Sequence, residues 1–328
     1  MATRGVILGY HRVCESGQDP QCLALSARLF SEQMEVLSRT GVPMSLPSML
    51  IAAQQDALPP GATAVTFDDG YADLQEVALP ILRQHGVPVT VFASTANLAT
   101  DHAFWWDELE RHCLWPGTLP RQVRLSVGGH VRCWDLGSDA TWTATVASRH
   151  RTWTVLEPPP TARHRLYLDL CAERRRLAAG AGEDLLCQLA ALTGAGRTSP
   201  PSHRPLRAGD LAALASDPLV TIGSHTHSHP ALASLASEAQ RGEILEGRRR
   251  LETLLGRSVP WLAYPFGSRA DVSNDTRDAA RQSAKLAAVT TQPGAVTSST
   301  DTLALPRVVV GRWPTDRFAG VWRRWAQA

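Results

Sequence analysis

The stretch Ala62-Thr63-Ala64-Val65-Thr66-Phe67-Asp68-Asp69-Gly70 decides the fold reading, because an unbroken run of apolar and β-branched residues ends in two adjacent carboxylates and a glycine. A run without polar alternation fits a strand buried on both faces. Outward from it, similar runs bounded by turn residues recur at Val6 to Tyr10, Val87 to Ser94, Leu219 to Gly223, Trp261 to Tyr264, Leu286 to Thr290 and Leu303 to Val310. Helical patterns lie between them at Ser26 to Arg39 (Phe30, Met34 and Leu37 on one face), Asp73 to His85, Ser237 to Leu255 and Asn274 to Leu286. Strands alternating with helices predict parallel βα units, and seven such strands predict an α/β fold, a distorted (β/α)7-type barrel with a large insertion.

The insertion is the stretch from Trp115 to Pro205, residues 115–205, where the alternation stops. Strand-like pieces at Val123 to Val127, Thr143 to Val146 and Trp153 to Val155 are followed by Pro158-Pro159-Pro160 and one long helix pattern from Ala162 to Leu192. The chain therefore reads as a single domain over residues 1–328, interrupted at one βα connection by a lid or substrate-selecting subdomain.

Composition narrows the class. Hydrophobic residues make up 44% and charged residues 20%, close to soluble globular averages, which excludes disordered, collagen-like and coiled-coil chains. No apolar run approaches the ~20 residues of a membrane span. The opening MATRGVILGYHRV lacks the apolar core of a secretory signal, so a cytoplasmic protein is expected. With a net charge of only +2, and with Arg174 to Arg176 and Arg248 to Arg250 fanning around helices, no nucleic-acid partner is expected. Six cysteines without a C-x-x-C pair support neither a zinc knuckle nor a disulfide framework.

Two motifs carry chemistry. Asp68-Asp69-Gly70 reads either as a tight turn after a strand or as a metal ligand beside a general base, since two carboxylates so close ionise together only with a cation at hand. Ser224-His225-Thr226-His227-Ser228-His229-Pro230 places three of the eleven histidines at the end of a strand. It reads either as a surface cluster or as a ligand loop in which His225 and His229 converge. Together the motifs supply one carboxylate and two imidazoles, leaving positions for water and substrate, as in a catalytic metal site.

Thr66-Phe67-Asp68-Asp69-Gly70 combined with His225-Thr226-x-x-His229 resembles the polysaccharide deacetylase family, carbohydrate esterases of family 4 that remove N-acetyl groups. The resemblance implies that Asp69, His225 and His229 bind the metal and that Asp68 is the catalytic base. It also implies a histidine acid on a late strand. Leu303 to Val310 has none; His11 in Tyr10-His11-Arg12 is either the candidate for that role, resembling the permuted branch that includes poly-N-acetylglucosamine deacetylases, or a histidine bonded structurally at a strand end. The family's arginine-proline motif corresponds to Ala263-Tyr264-Pro265-Phe266-Gly267, where the arginine is missing, so Arg307 reads either as the partner of Asp68 from another strand or as a surface arginine. Tyr264, Pro265 and Phe266 are expected to form the pocket floor and an aromatic wall, and Trp105 and Trp106 to face a sugar ring or to lie in a core.

The expected activity is Zn2+-dependent hydrolysis of an N-acetyl amide on an amino-sugar glycan, glycolipid or glycoside. The alternatives are an amidohydrolase of a small natural-product intermediate and a non-catalytic glycan-binding relative. Near the C-terminus Pro314 opens a helix with Phe318, Trp322 and Trp325 on one face. That face either closes the barrel bottom as core or rests on an anionic membrane surface.

Overall fold

A computed structural model describes residues 3–15, 17–283 and 287–326. The chain forms two compact units, one of residues 1–15, 23–100 and 206–328, the other of residues 16–22 and 101–205.

Among the described residues the main sheet of the first unit has eight strands: β1 (Gly5–Tyr10), β2 (Val42–Pro43), β3 (Ala62–Phe67), β4 (Val89–Ala93), β5 (Val220–Ser224), β6 (Trp261–Ala263), β7 (Ala287–Val289) and β8 (Val308–Val309). They pair in parallel in the order β7-β6-β5-β4-β3-β1-β8, with β2 beside the start of β3. The run that contains β8 draws the two edges together. Leu305 N–H bonds the Ala288 carbonyl at 2.9 Å on one side, and Val310 N–H bonds the Gly9 carbonyl at 2.8 Å on the other. The sheet thus curls into a distorted barrel, as the alternation of strands and helices predicts. Leu286, read from sequence as the start of the seventh strand and the end of a helix, lies outside the described residues.

Strand alternation sorts the side chains into two layers. Val6, Leu8 and Tyr10 of β1 and Val65 and Phe67 of β3 pack outward with Phe30, Met34 and Leu37 of the helix Ala27–Thr40. Ile7, Ala62, Ala64 and Phe92 belong to the other layer, with Leu46, Met49 and Leu50 of the helix Leu46–Gln54. Both faces are apolar, which explains why these strands read as continuous hydrophobic runs. The C-terminal helix Thr315–Ala326 settles its two readings in favour of core. Phe318 and Trp322 are buried in the outer layer, and Trp322 Nε1 donates to Thr63 Oγ1 at 2.8 Å. Phe318 and Trp322 are therefore not available to a membrane, and Trp325, half-buried, packs against the same layer. Among the described residues no helix is long and apolar enough to cross one.

The second unit has its own core. The hairpin Gln122–Val127 and His130–Asp135 alternates buried Val123, Leu125 and Val127 with exposed residues. The helices Trp105–Leu114, Ala162–Arg174 and Ala179–Thr193 supply most of the rest. Three sequence expectations are corrected here. The single helix from Ala162 to Leu192 is two helices, and Thr143 to Val146 opens the short helix Ala144–Arg149, which Thr143 caps by accepting the Val146 N–H. A capping hydroxyl before Ala-Thr-Val outweighed the β-branched composition. Trp153 to Val155 is not a strand: Trp153 and Thr154 are irregular and Val155 begins a turn.

Candidate active site

Strand ends deliver the first residues. The Asp68 N–H bonds the Tyr10 carbonyl at 2.9 Å, so β3 and β1 end together and set His11 beside the two aspartates. Asp68 continues the inward set of Ala62, Ala64 and Thr66. Asp69 takes φ 70°, a left-handed turn that lets the next side chain reach the same site. Left-handed backbone is concentrated here. Among the described residues six non-glycines have positive φ, and four are Asp69, Thr226, His229 and Phe266. Such conformations cost of order 1–3 kcal/mol each and persist where the surroundings impose them.

Arg307 supplies the missing arginine by another route. It is fully buried, and its two terminal nitrogens bond the two oxygens of Asp68 at 2.6 Å each. Further bonds run to Thr66 Oγ1 at 3.1 Å and to the Thr290 carbonyl at 3.1 Å. Gly9 makes the passage: a Cβ there would stand 3.1 Å from Arg307 Cδ. Arg307 precedes β8 and reaches Asp68 along the strands instead of descending from a strand's C-terminal end. Burial alone would raise the Asp68 carboxyl, but Arg307, with His225 and His11, holds it well below the usual carboxylate range.

The histidine loop supplies the rest. His225 Nδ1 lies 2.8 Å from the Ala263 carbonyl, which can only accept, so Nδ1 carries the proton and Nε2 presents its lone pair. That Nε2 is 3.2 Å from His229 Nε2 and 3.5 Å from Asp69 Oδ1, and His229 Nε2 is 3.3 Å from the same oxygen. Asp69, His225 and His229 are all buried. Burial pushes the His225 imidazole down to about 4, against the pull of Asp68 and Asp69. Burial would raise the Asp69 carboxyl, but His229, by hydrogen bond and charge, keeps it below its ordinary value. Two imidazole nitrogens and one carboxylate oxygen facing a common point fit a divalent cation, since one ion satisfies all three lone pairs.

The other residues singled out from sequence divide. His11 is near enough for its charge to lower both aspartates. Phe266 meets the His229 ring edge-on, with centroids 5.1 Å apart. His227 turns aside, its Nδ1 2.9 Å from Thr95 Oγ1. Tyr264 is corrected: it points outward, as the strand period requires with Ala263 inward, and is buried with Leu232, Ile244 and Leu262 while its hydroxyl bonds the Leu303 carbonyl at 3.0 Å. Pro265, also buried, accepts the Gly267 N–H in the turn that follows. The aromatic surface beside the histidines is Phe266. Trp105 and Trp106 belong to the second unit, where both are buried, Trp106 stacked on Phe104.

Sequence reasoning missed Ser94, whose N–H bonds the Asp69 carbonyl at 3.1 Å and whose hydroxyl bonds the His225 carbonyl at 3.1 Å, tying the two motifs together. It also missed Glu243, bonded to the histidine loop. A second donor group, Asp107, Glu110 and His203, lies buried in the second unit. There Trp115 donates to Glu110 at 3.1 Å and Ser202 Oγ is 2.9 Å from His203 Nδ1.

Residues 55–117 and 202–288 match the family model described as polysaccharide deacetylase. Among curated proteins no sequence match was found. Solved structures are similar over nearly the whole chain. IcaB from Ammonifex degensii is 16% identical with a TM-score of 0.57, covering 99% of this chain and 98% of that one. The deacetylase PplD of Streptococcus pyogenes, solved in complex with acetate, is 16% identical with a TM-score of 0.56, covering 98% and 99%. The deacetylase domain of BpsB from Bordetella bronchiseptica is 16% identical with a TM-score of 0.53, covering 94% and 97%. At such identity the likeness establishes the fold.

Proposed function

We propose, from the premise that this chain carries a polysaccharide deacetylase domain, that it hydrolyses the N-acetyl amide of an amino sugar in a glycan, glycolipid or glycoside, with Zn2+ held by Asp69, His225 and His229. One observation carries the reading. Two adjacent aspartates face different partners, Asp68 a guanidinium and Asp69 two imidazoles. Bound there, the cation supplies Lewis acidity, lowering the pKa of water and polarising the acyl carbonyl.

Asp68 is the base. Arg307 keeps it ionised and fixes its plane, so it accepts the water proton as oxygen adds to the acyl carbon. His11, at the end of β1 and half-exposed, donates a proton to the amide nitrogen as the C–N bond breaks, leaving acetate and the free amine. Phe266 covers one side of the ligand set and limits water there. Residues 115–205 are assigned the choice of substrate.

The test is acetate release from N-acetylglucosamine oligomers by the zinc-loaded protein, followed by NMR, with mass spectrometry of the amine product. Turnover is expected, and Asp68→Asn is expected to lower it by ~10²- to 10⁴-fold while keeping its metal. No acetate from any N-acetylated sugar, or full turnover by Asp68→Asn, would overturn the reading.

A further inference from the structure

The loop that carries His225 and His229 is strained, with φ 63° at Thr226 and 58° at His229. Its backbone needs a holder. Glu243, on the helix Ser237–Leu255, is 8% exposed and turns its carboxylate into the loop. One oxygen accepts the N–H groups of His227 at 3.0 Å and Ser228 at 2.8 Å, and the other accepts the Ser228 hydroxyl at 2.7 Å. Successive N–H groups of a strained turn form a concavity suited to an anion, and here a side chain of the same chain fills it.

The helix is brought up to the loop at Gly247, one turn beyond Glu243. A Cβ there would stand 2.5 Å from the Thr226 carbonyl carbon and 2.9 Å from Ser224 Oγ. Only a glycine allows the helix backbone this close, and that approach puts Glu243 within reach of the loop. Inside the loop the Thr226 hydroxyl accepts the His229 N–H at 3.2 Å, a weaker neutral bond. The carboxylate is the charged acceptor at the turn between the two histidines.

We propose that Glu243 is a positioning residue for the metal ligands. By neutralising two N–H donors it keeps the loop in the left-handed turns that aim both Nε2 atoms at Asp69. The inference rests on the metal-binding reading above, and its consequence is for metal affinity before turnover. Without the carboxylate two buried donors lose their acceptor, the turn relaxes and His229 withdraws. Outer partners of ligands typically contribute 10- to 100-fold in metal affinity.

The experiment uses the full chain, stripped of metal and titrated with Zn2+ alone in competition with a chelating dye. Amide hydrogen exchange at residues 227 and 228 is read on the metal-free protein. Glu243→Ala should bind zinc ~10- to 100-fold more weakly and exchange those amides faster. Glu243→Gln, which keeps the shape and one acceptor oxygen, should fall between. Saturating zinc should restore turnover to Glu243→Ala but not to His225→Ala, and faster exchange confined to residues 227 and 228, with exchange elsewhere unchanged, separates loss of the loop's holder from general destabilisation of the fold. Wild-type zinc affinity in Glu243→Ala would overturn the proposal, as would unchanged exchange at both amides. Wild-type protein that binds no zinc, with exchange still accelerated in Glu243→Ala, would leave Glu243 as the holder of the loop and bring down the metal reading instead.

Discussion

Arg307 in the first unit and Arg163 in the second are both almost wholly removed from water, and the two are used in opposite ways. Arg307 gives its terminal nitrogens to one carboxylate, Asp68. Arg163, on the helix Ala162–Arg174, gives all its donors to backbone carbonyls, those of Asp139, His112, Cys113, Gly117 and Ala140. The second arrangement collects the carbonyls of a helix end and neighbouring turns, which otherwise lack donors. The first keeps a single acid ionised inside a barrel. A buried cation therefore marks a reactive site only through the partner it serves.

The comparison breaks most visibly at Arg307. Arg307→Met leaves Asp68 buried without its counter-charge. Turnover is expected to fall ~10²- to 10⁴-fold, because the proposed base loses its orientation. Stability in urea unfolding is expected to fall by about 3–5 kcal/mol. Adding Asp68→Leu to that variant should recover part of the stability and none of the turnover. Near-normal turnover in Arg307→Met would give Arg307 the same structural duty as Arg163.

Trp322→Ala sets the scale for loss of an apolar anchor, with about 3–5 kcal/mol expected from a large core truncation. Its binding to anionic liposomes should match that of the wild type. Weakened sedimentation with unchanged stability would restore the membrane reading of the C-terminal helix. Arg163→Met should come next, losing about 3 kcal/mol as buried carbonyls go unpaired, with zinc content unchanged. Zinc lost as fully as in Asp69→Ala would erase the distinction between the two arginines.

The smallest effect is on acid stability. In the second unit burial pushes His112 and His164 down to about 4, helped at His112 by Arg111 and Arg197 and at His164 by His150. Their ordinary value is 6.5, so below that pH the unfolded chain binds protons that the folded one refuses. Their contribution is complete above about 6.5 and declines as pH falls towards 4. Asp68, held low, adds its own loss only below the ordinary carboxylate range. Unfolding midpoints measured across that interval should fall with pH, and His164→Gln should flatten the fall. An identical slope in the variant would take His164 out of the acid response.

Much of this was legible in local sequence, for reasons the structure makes plain. Strands buried on both faces must be apolar throughout, and Asp68, Asp69, His225 and His229 follow directly on two of them. What local pattern left open was pairing across distance. Pairing with Asp68 is one of two sequence readings of Arg307, and the two do meet, but across 239 positions, and no local pattern distinguishes Arg307 from a surface arginine. Glu243 sits in an ordinary helix, and only the close approach at Gly247 makes it special. Tyr264 was readable in principle, since the residue after an inward Ala263 must face outward, but the motif around it drew attention to the site. The break between the helices Ala162–Arg174 and Ala179–Thr193 had no proline to announce it.

The most direct test of the account is the zinc content of two single variants at adjacent positions, Asp69→Ala and Asp68→Asn, purified alike and assayed by elemental analysis alongside the wild type. The division of labour between the aspartates predicts one ion per chain in the wild type and in Asp68→Asn, and essentially none in Asp69→Ala. Equal zinc in both variants, whether full or absent, would contradict it.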